Sequence, residues 1–329
     1  MFSLYPKFWT VCRIEVAGRP VVASADKRRI RLWDPQAGET RTLARVKGPT
    51  HALCPVRVGD TTLLASAGVE RVVRLWDPTS GREVARFDHH RAGRLTSLCT
   101  LPGGREGDLI VSAGNDGALM VLDPATGEPL HTMADGGSGV QAVCRVDAAG
   151  THQLAGAGLD GLVRIWDPTS GELVHTLAGH GGWVHAVCAL PVDGRTLVAS
   201  GGDDGAVRLW DPVAGEPVRA MVPESTMHTL SVTNAGGGTV LALCPVRTRN
   251  TVWLASGGDF PGVWLWNPAT GRGGGWVGWG GLVGAKPQCG WIRGLATFPR
   301  TGTESLVTCG YDKEVQMFTV QGSPSFRGF

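Results

Sequence analysis

The chain of 329 residues is 42% hydrophobic and 18% charged, and its 31 basic and 29 acidic residues leave a net charge of +2. So even a balance excludes nucleic-acid or anionic-membrane binding by bulk electrostatics, and no apolar run reaches the ~18 residues needed to span a bilayer. Glycine, at 49 residues, is about twice its usual share, which points to many turns.

The N-terminal MFSLYPKFWTVCRIEVAG has no basic stretch followed by a long apolar core. No secretory signal is therefore expected, and the expected location is cytoplasmic. From there the chain repeats itself. Its successive copies read IRLWDPQAG, VRLWDPTSG, LMVLDPATG, VRIWDPTSG, VRLWDPVAG, VWLWNPATG and a degenerate VQMFTVQGS. The anchors Trp33, Trp76, Leu122, Trp166, Trp210, Trp266 and Phe318 are spaced by 43, 46, 44, 44, 56 and 52 residues. Such a period corresponds to about four short strands per unit and overrides the two domains that length alone suggests. The chain is read as one domain, with units at 8–47, 48–91, 92–136, 137–180, 181–236, 237–288 and 289–329.

The fifth unit shows the pattern. An apolar strand WVHAVCAL (183–190) is followed by TLVAS (196–200), a tight turn GGDDG, a third strand AVRLW and a more polar fourth strand EPVRAM (216–221). Val, Ile and Leu in period-two patterns between Gly, Pro and Asp signal strands, and no stretch has helical periodicity. In the Asp-Pro-x-x-Gly turns at Asp34, Asp77, Asp123, Asp167 and Asp211, and at Asn267, the acid or amide accepts a backbone hydrogen bond. Proline presets φ and glycine takes a positive φ.

These seven units, with their recurring L-A-S-G-x-D-x-x-V-R-L-W-D-P pattern, resemble WD40 repeats over essentially the whole chain. The resemblance implies an all-β fold, a seven-bladed β-propeller of four-stranded antiparallel blades around a central channel, with no substantial helix. It also implies a structural tetrad in which a His before the inner strand, a Ser or Thr, a turn Asp and a Trp bond one another. His180, Ser200, Asp204 and Trp210 fit all four places.

The same four residues could be mistaken for a hydrolase triad, but the copies speak against catalysis. The slots recur with members missing. Ser112 and Asp116 accompany Leu122; Asp160 and Trp166 accompany Gly156; Thr308 and Asp312 accompany Phe318. The second unit has Glu70 in the aspartate slot, the sixth has Phe260 beside Asp259, and the first unit's shorter turn leaves Asp26 or Lys27. A catalytic serine must also meet substrate, whereas Ser200 lies within a packed strand. No catalytic residue is assigned. The fifth unit, with the complete set, is expected to be the best stapled.

GAGLDG (156–161) matches a dinucleotide fingerprint but leads into a strand, so the helix N-terminus that would hold pyrophosphate is missing. Cys12, Cys54, Cys99, Cys144, Cys188 and Cys244 share one inner-strand position, where packed sheets ~10 Å apart are too distant for disulfides. They are read as small buried hydrophobes, and Cys289 as lying in an exposed loop. Without a Cys-x-x-Cys pair no zinc site is expected, and no cofactor is assigned.

Two neighbouring connections depart from the period, 221–238 and 271–290, the latter carrying Trp276 and Trp279. Long loops on a rigid scaffold tend to carry function. On the same face the family resemblance places the residues bordering the channel mouth: Arg94, Trp183 and Trp291, then Asn115, Leu159, Asp203 and Tyr311. His185 and Arg293 sit two residues further in. Trp, Tyr and Arg dominate interface hot spots. The expected function is a protein- or peptide-binding scaffold near the fifth to seventh units. The alternative is a small-ligand site for a sugar or methylated amine, and an enzyme ranks last. Twelve residues from Phe318 to Phe329 suffice for the last unit's own outer strand, so closure without strand exchange from the N-terminus is expected. The array also resembles the glycine- and arginine-rich WD40 modules of large bacterial proteins. Other domains of a longer parent chain would then be candidate partners.

Overall fold

In the computed structural model, the described residues are 9–90, 92–134, 138–222, 238–248, 251–259, 262–277, 291–300, 303–310 and 315–319. Every regular element among them is a β-strand, and the strands pair antiparallel. The inner strands are Thr10–Val16, Thr50–Val58, Leu95–Gly104, Val140–Ala148, Val184–Val192, Val240–Arg247 and Ile292–Arg300. Their partners are Arg19–Ala25, Thr61–Gly68, Gly107–Gly114, Thr151–Gly158, Arg195–Gly202, Val252–Gly258 and Thr303–Gly310. Third come Arg29–Asp34, Val73–Trp76, Ala118–Leu122, Val163–Trp166, Val207–Asp211, Val263–Trp266 and Gln316–Thr319. The outer strands are Glu39–Arg45, Glu83–Phe87, Pro129–Ala134, Leu173–Leu177, Glu216–Met221 and Gly273–Val277. An outer strand for the seventh unit, and the question of how the chain ends meet, lie outside the described residues.

Burial explains the composition of each strand. The second strands are buried on both faces over their C-terminal halves, as in LVASGG of the fifth unit. A sheet pressed by neighbours on either side needs small Ala, Ser and Gly there. The fourth strands are mostly exposed, which is why they read as polar.

The turns follow the chemistry written in the sequence. Glycines 38, 81, 127, 171, 215 and 271 all have φ between 71° and 77°. Each gives its N–H to the carbonyl of the residue that opens the turn. The Asp or Asn side chain accepts the N–H two residues on in all six, at 2.7–3.0 Å.

Apolar clusters lie between units rather than within them. One joins Ile14 and Ile30 to Leu53, Leu64 and Trp76; another joins Val146 and Ile165 to Val187, Val198 and Trp210. The last joins Val11 and Val22 of the first unit to Phe298, Val307 and Cys309 of the seventh. The second and third units also share a backbone pairing, Val58 with Gly107, which runs their strands into one eight-stranded sheet. Gly107 has φ 150°, and a Cβ there would sit 2.2 Å from the Arg57 carbonyl oxygen.

Candidate functional site

One end of six of the seven inner strands carries the same irregularity. Pairing slips between Thr50 and Ala52, Val140 and Ala142, Val184 and Ala186, Val240 and Ala242, and Ile292 and Gly294. A matching slip lies between Leu95 and Ser97. The residues passed over are His51, Gln141, His185, Leu241, Arg293 and Thr96. A β-bulge leaves one residue out of the ladder and re-aims its side chain. The first unit has no slip, but Trp9, whose N–H bonds the Ala25 carbonyl at 3.0 Å, brings its ring to 4.8 Å from that of His51. Beside the bulges the final rung is a backbone bond, from Asn115 to Arg94, Leu159 to Gly139, Asp203 to Trp183 and Asp259 to Thr239.

The side chains at this end divide by charge. In the fifth and sixth units, His185 Nε2 lies 2.8 Å from Asp203 Oδ1. The Trp183 ring meets the His185 imidazole edge-on with centroids 6.2 Å apart, and Thr239 Oγ1 donates to Asp203 Oδ1 at 3.4 Å. Burial pushes the Asp259 carboxyl up, and the charge of Asp203 adds to it. In the third and fourth units Gln141 donates to Asn115 at 3.0 Å.

A second group at this end is basic. The Arg293 guanidinium carbon lies 5.8 Å from the Trp9 ring centroid, and Arg94 is exposed. Burial, followed by the charges of Arg94 and Arg293, pulls the His51 imidazole down to about 4. Trp9 Nε1, His51 Nε2 and Arg293 Nε are buried without a hydrogen-bond partner. Sequence reasoning placed Arg94 and Arg293 here but missed Trp9, His51, Asp259 and Thr239. The signal was available: the offset that picks out His185 and Arg293 picks out His51 in the second unit.

The four residues read as a tetrad come together. His180 Nδ1 lies 3.0 Å from both Asp204 carboxylate oxygens, its Nε2 lies 2.8 Å from Ser200 Oγ, and Trp210 Nε1 donates to that Oγ at 2.8 Å. The His180 side chain is 0% exposed. Burial lowers its pKa despite Asp204. Asp204, which burial alone would raise, is held below the usual carboxylate range by His180 and the N–H groups of Gly181 and Ala206. A neutral imidazole then donates from Nδ1 to Asp204 and accepts the Ser200 hydroxyl proton at Nε2, which leaves Ser200 Oγ to receive the indole N–H.

Other units keep parts of this chain. His90, unrecognised in the sequence, bonds Ser112 at 2.8 Å and Asp116 at 3.1 Å. Trp76 and Trp266 donate to Ser66 and Ser256. Glu70 and Asp160 instead pair with Arg74 and Arg164, and Asp26, not Lys27, accepts the turn N–H groups of the first unit.

The six cysteines share one register slot, opposite Ala23, Ala65, Val111, Ala155, Ala199 and Ala255. All are free thiols. Five of the six are half-buried rather than fully buried. Burial pushes the Cys54, Cys144 and Cys244 thiols up to about 12. No group of metal-binding side chains occurs among the described residues, and no helix among them is long and apolar enough to cross a membrane. Trp276 lies in the strand Gly273–Val277 with its backbone opposite Trp264. Trp279, Tyr311, Cys289 and most of the two long connections lie outside the described residues.

Residues 127–167 and 171–211 each match the WD40 family, described as WD domain, G-beta repeat. Among curated proteins the chain is similar to Nuclear distribution protein PAC1 of Arthroderma benhamiae, 31% identical over 121 residues, covering 34% of this chain and 26% of that protein. It is similar to Protein tipD of Dictyostelium discoideum at 29% over 116 residues, 35% of this chain and 18% of that protein. Autophagy-related protein 16 of Arabidopsis thaliana is 28% identical over 131 residues, 39% of this chain and 25% of that protein. The chain thus spans about a quarter or less of the length of these relatives. It carries WD40 repeats on an all-β architecture of the β-propeller type.

Proposed function

We propose that the chain is a protein- or peptide-interaction scaffold, not an enzyme. In this reading it is one domain, a seven-bladed propeller that binds its partner around the channel mouth near the fifth to seventh units. The apolar cluster linking the seventh unit to the first supports ring closure. The observation that carries the binding reading is the exposure of Trp183 and Trp291, at 53% and 45%. Among the tryptophans whose side chains are described these are the only exposed ones, and both open an inner strand. An indole left in water contributes little to folding, whereas aromatic anchors dominate interfaces. The buried tetrad serves the framework, because Ser200 is closed to substrate. The relatives' names point to nuclear distribution and to autophagy, two different processes, so the similarity supports a shared repeat rather than a shared pathway. The partner is a protein or peptide rather than nucleic acid or membrane, met in the cytoplasm.

The test is Trp183→Ala and Trp291→Ala against wild type, with a partner first recovered by affinity capture. Both variants should melt as wild type does, and each should weaken partner binding by about tenfold or more. Unchanged affinity would place the interface elsewhere. A rise in melting temperature with simple sugars or methylated amines, absent from the variants, would favour a small-ligand site at the same mouth.

A further inference from the structure

We propose that the corner formed by Arg94, Arg293, Trp9 and His51 is an oxyanion subsite, which takes a carboxylate or phosphoryl group carried on a partner peptide. The inference rests on the scaffold reading above and names the chemistry that part of the mouth recognises.

Three observations converge. First, Arg94 and Arg293, from the third and seventh units, act on the same imidazole of the second. Neither makes an ion pair among the described residues. Two guanidinium groups acting on one imidazole, neither of them paired with an acid among the described residues, repel each other, and an anion relieves that repulsion while using their forked donors. Second, the unmatched polar atoms here are of one kind. Trp9 Nε1 and Arg293 Nε are donors outright, and His51 Nε2 becomes one when it holds the imidazole proton. A buried donor without an acceptor is costly, so the missing group is an acceptor, and the surrounding charge makes it an anion. Third, Asp203, across the mouth, is already engaged by His185 and Thr239. The three donors are closed to solvent as the side chains stand. Binding therefore turns the Trp9 and His51 rings toward the arriving group, a side-chain change of the kind common at interfaces.

The test uses the full chain. Inorganic phosphate and acetate are titrated at constant ionic strength while NMR follows the Trp9 indole N–H and the His51 imidazole, assigned with Trp9→Phe and His51→Gln. Both signals should follow one saturating curve, and the His51 titration midpoint should rise as the anion offsets the guanidinium charges. The double variant Arg94→Gln/Arg293→Gln should weaken the response by about tenfold or more. Signals that do not move, or that respond equally in the double variant, overturn the proposal. A second arm compares capped Gly-Gly-X-Gly-Gly peptides with glutamate, phosphoserine, glutamine or serine at X. Preference for the charged members is expected, and the stronger of the two identifies the source of the oxyanion. A response to free ions with no preference among peptides means an adventitious ion only and overturns it. If a captured partner depends on Trp183 but binds the double variant as tightly as wild type, the oxyanion subsite fails while the scaffold reading stands.

Discussion

His180 is buried against a carboxylate and still kept neutral, because the cost of burying charge outweighs the attraction of Asp204. Its folded pKa lies below the 6.5 of the unfolded chain, so the stability it contributes is complete above that value and declines as pH falls below it. Asp204, also depressed, loses its contribution at lower pH still, as pH falls through its folded value. His51 shifts in the same direction, to about 4. Unfolding free energy should therefore decline on acidification from pH 6.5, and His180→Gln should flatten that slope relative to wild type. A denaturant series at several pH values checks this; equal slopes would mean that His180 does not titrate on unfolding. Asp204→Ala strips partners from a buried histidine and two N–H groups. It should cost about 1–3 kcal/mol, the penalty for unpaired buried polar groups. The repeat frame made this tetrad readable in the sequence. His90 escaped because it stands five residues before Leu95, where His180 stands four before Val184, and because Leu122 fills the tryptophan slot.

At the scale of the element, turns and bulges differ in how openly they are written. The turn chemistry is local: Asp, Pro and Gly set their own hydrogen bonds and dihedrals, and six copies behave alike. The bulges have no residue signature, since His, Thr, Gln, Leu and Arg all occupy them. They arise where an inner strand must bend at the start of its ladder, a demand of the sheet rather than of the residue. The fourth unit shows how neighbours settle a slot. A Cβ on Gly156 would lie 2.6 Å from the Trp166 ring, which fills the serine's place. Gly156→Ser should not rebuild a tetrad there. It should destabilise the chain by about 1–3 kcal/mol, the usual cost of overpacking, measurable by chemical denaturation. A stabilised variant would show that the ring can move aside.

Across the whole molecule the cysteines trace how the units succeed one another. Cys12 senses Cys54, Cys99 senses Cys54 and Cys144, and Cys188 senses Cys144 and Cys244, each secondary to burial. With so little thiolate, these six should resist N-ethylmaleimide in the native protein at neutral pH and react on unfolding, as mass spectrometry would count. Rapid native labelling of any of them would contradict the sheltered slot.

Period, strand order, turn geometry and the tetrad of the fifth unit could all be derived from the amino-acid order, because each depends on residues within one repeat and recurs with it. The meeting of Trp9, His51 and Arg293 could not. They belong to the first, second and seventh units, and their contact depends on how whole sheets pack and how the last unit returns to the first. Hydrogen bonds inside a repeat are dictated by neighbours along the chain, whereas a site shared between repeats depends on the angle at which sheets stack, which no single residue encodes.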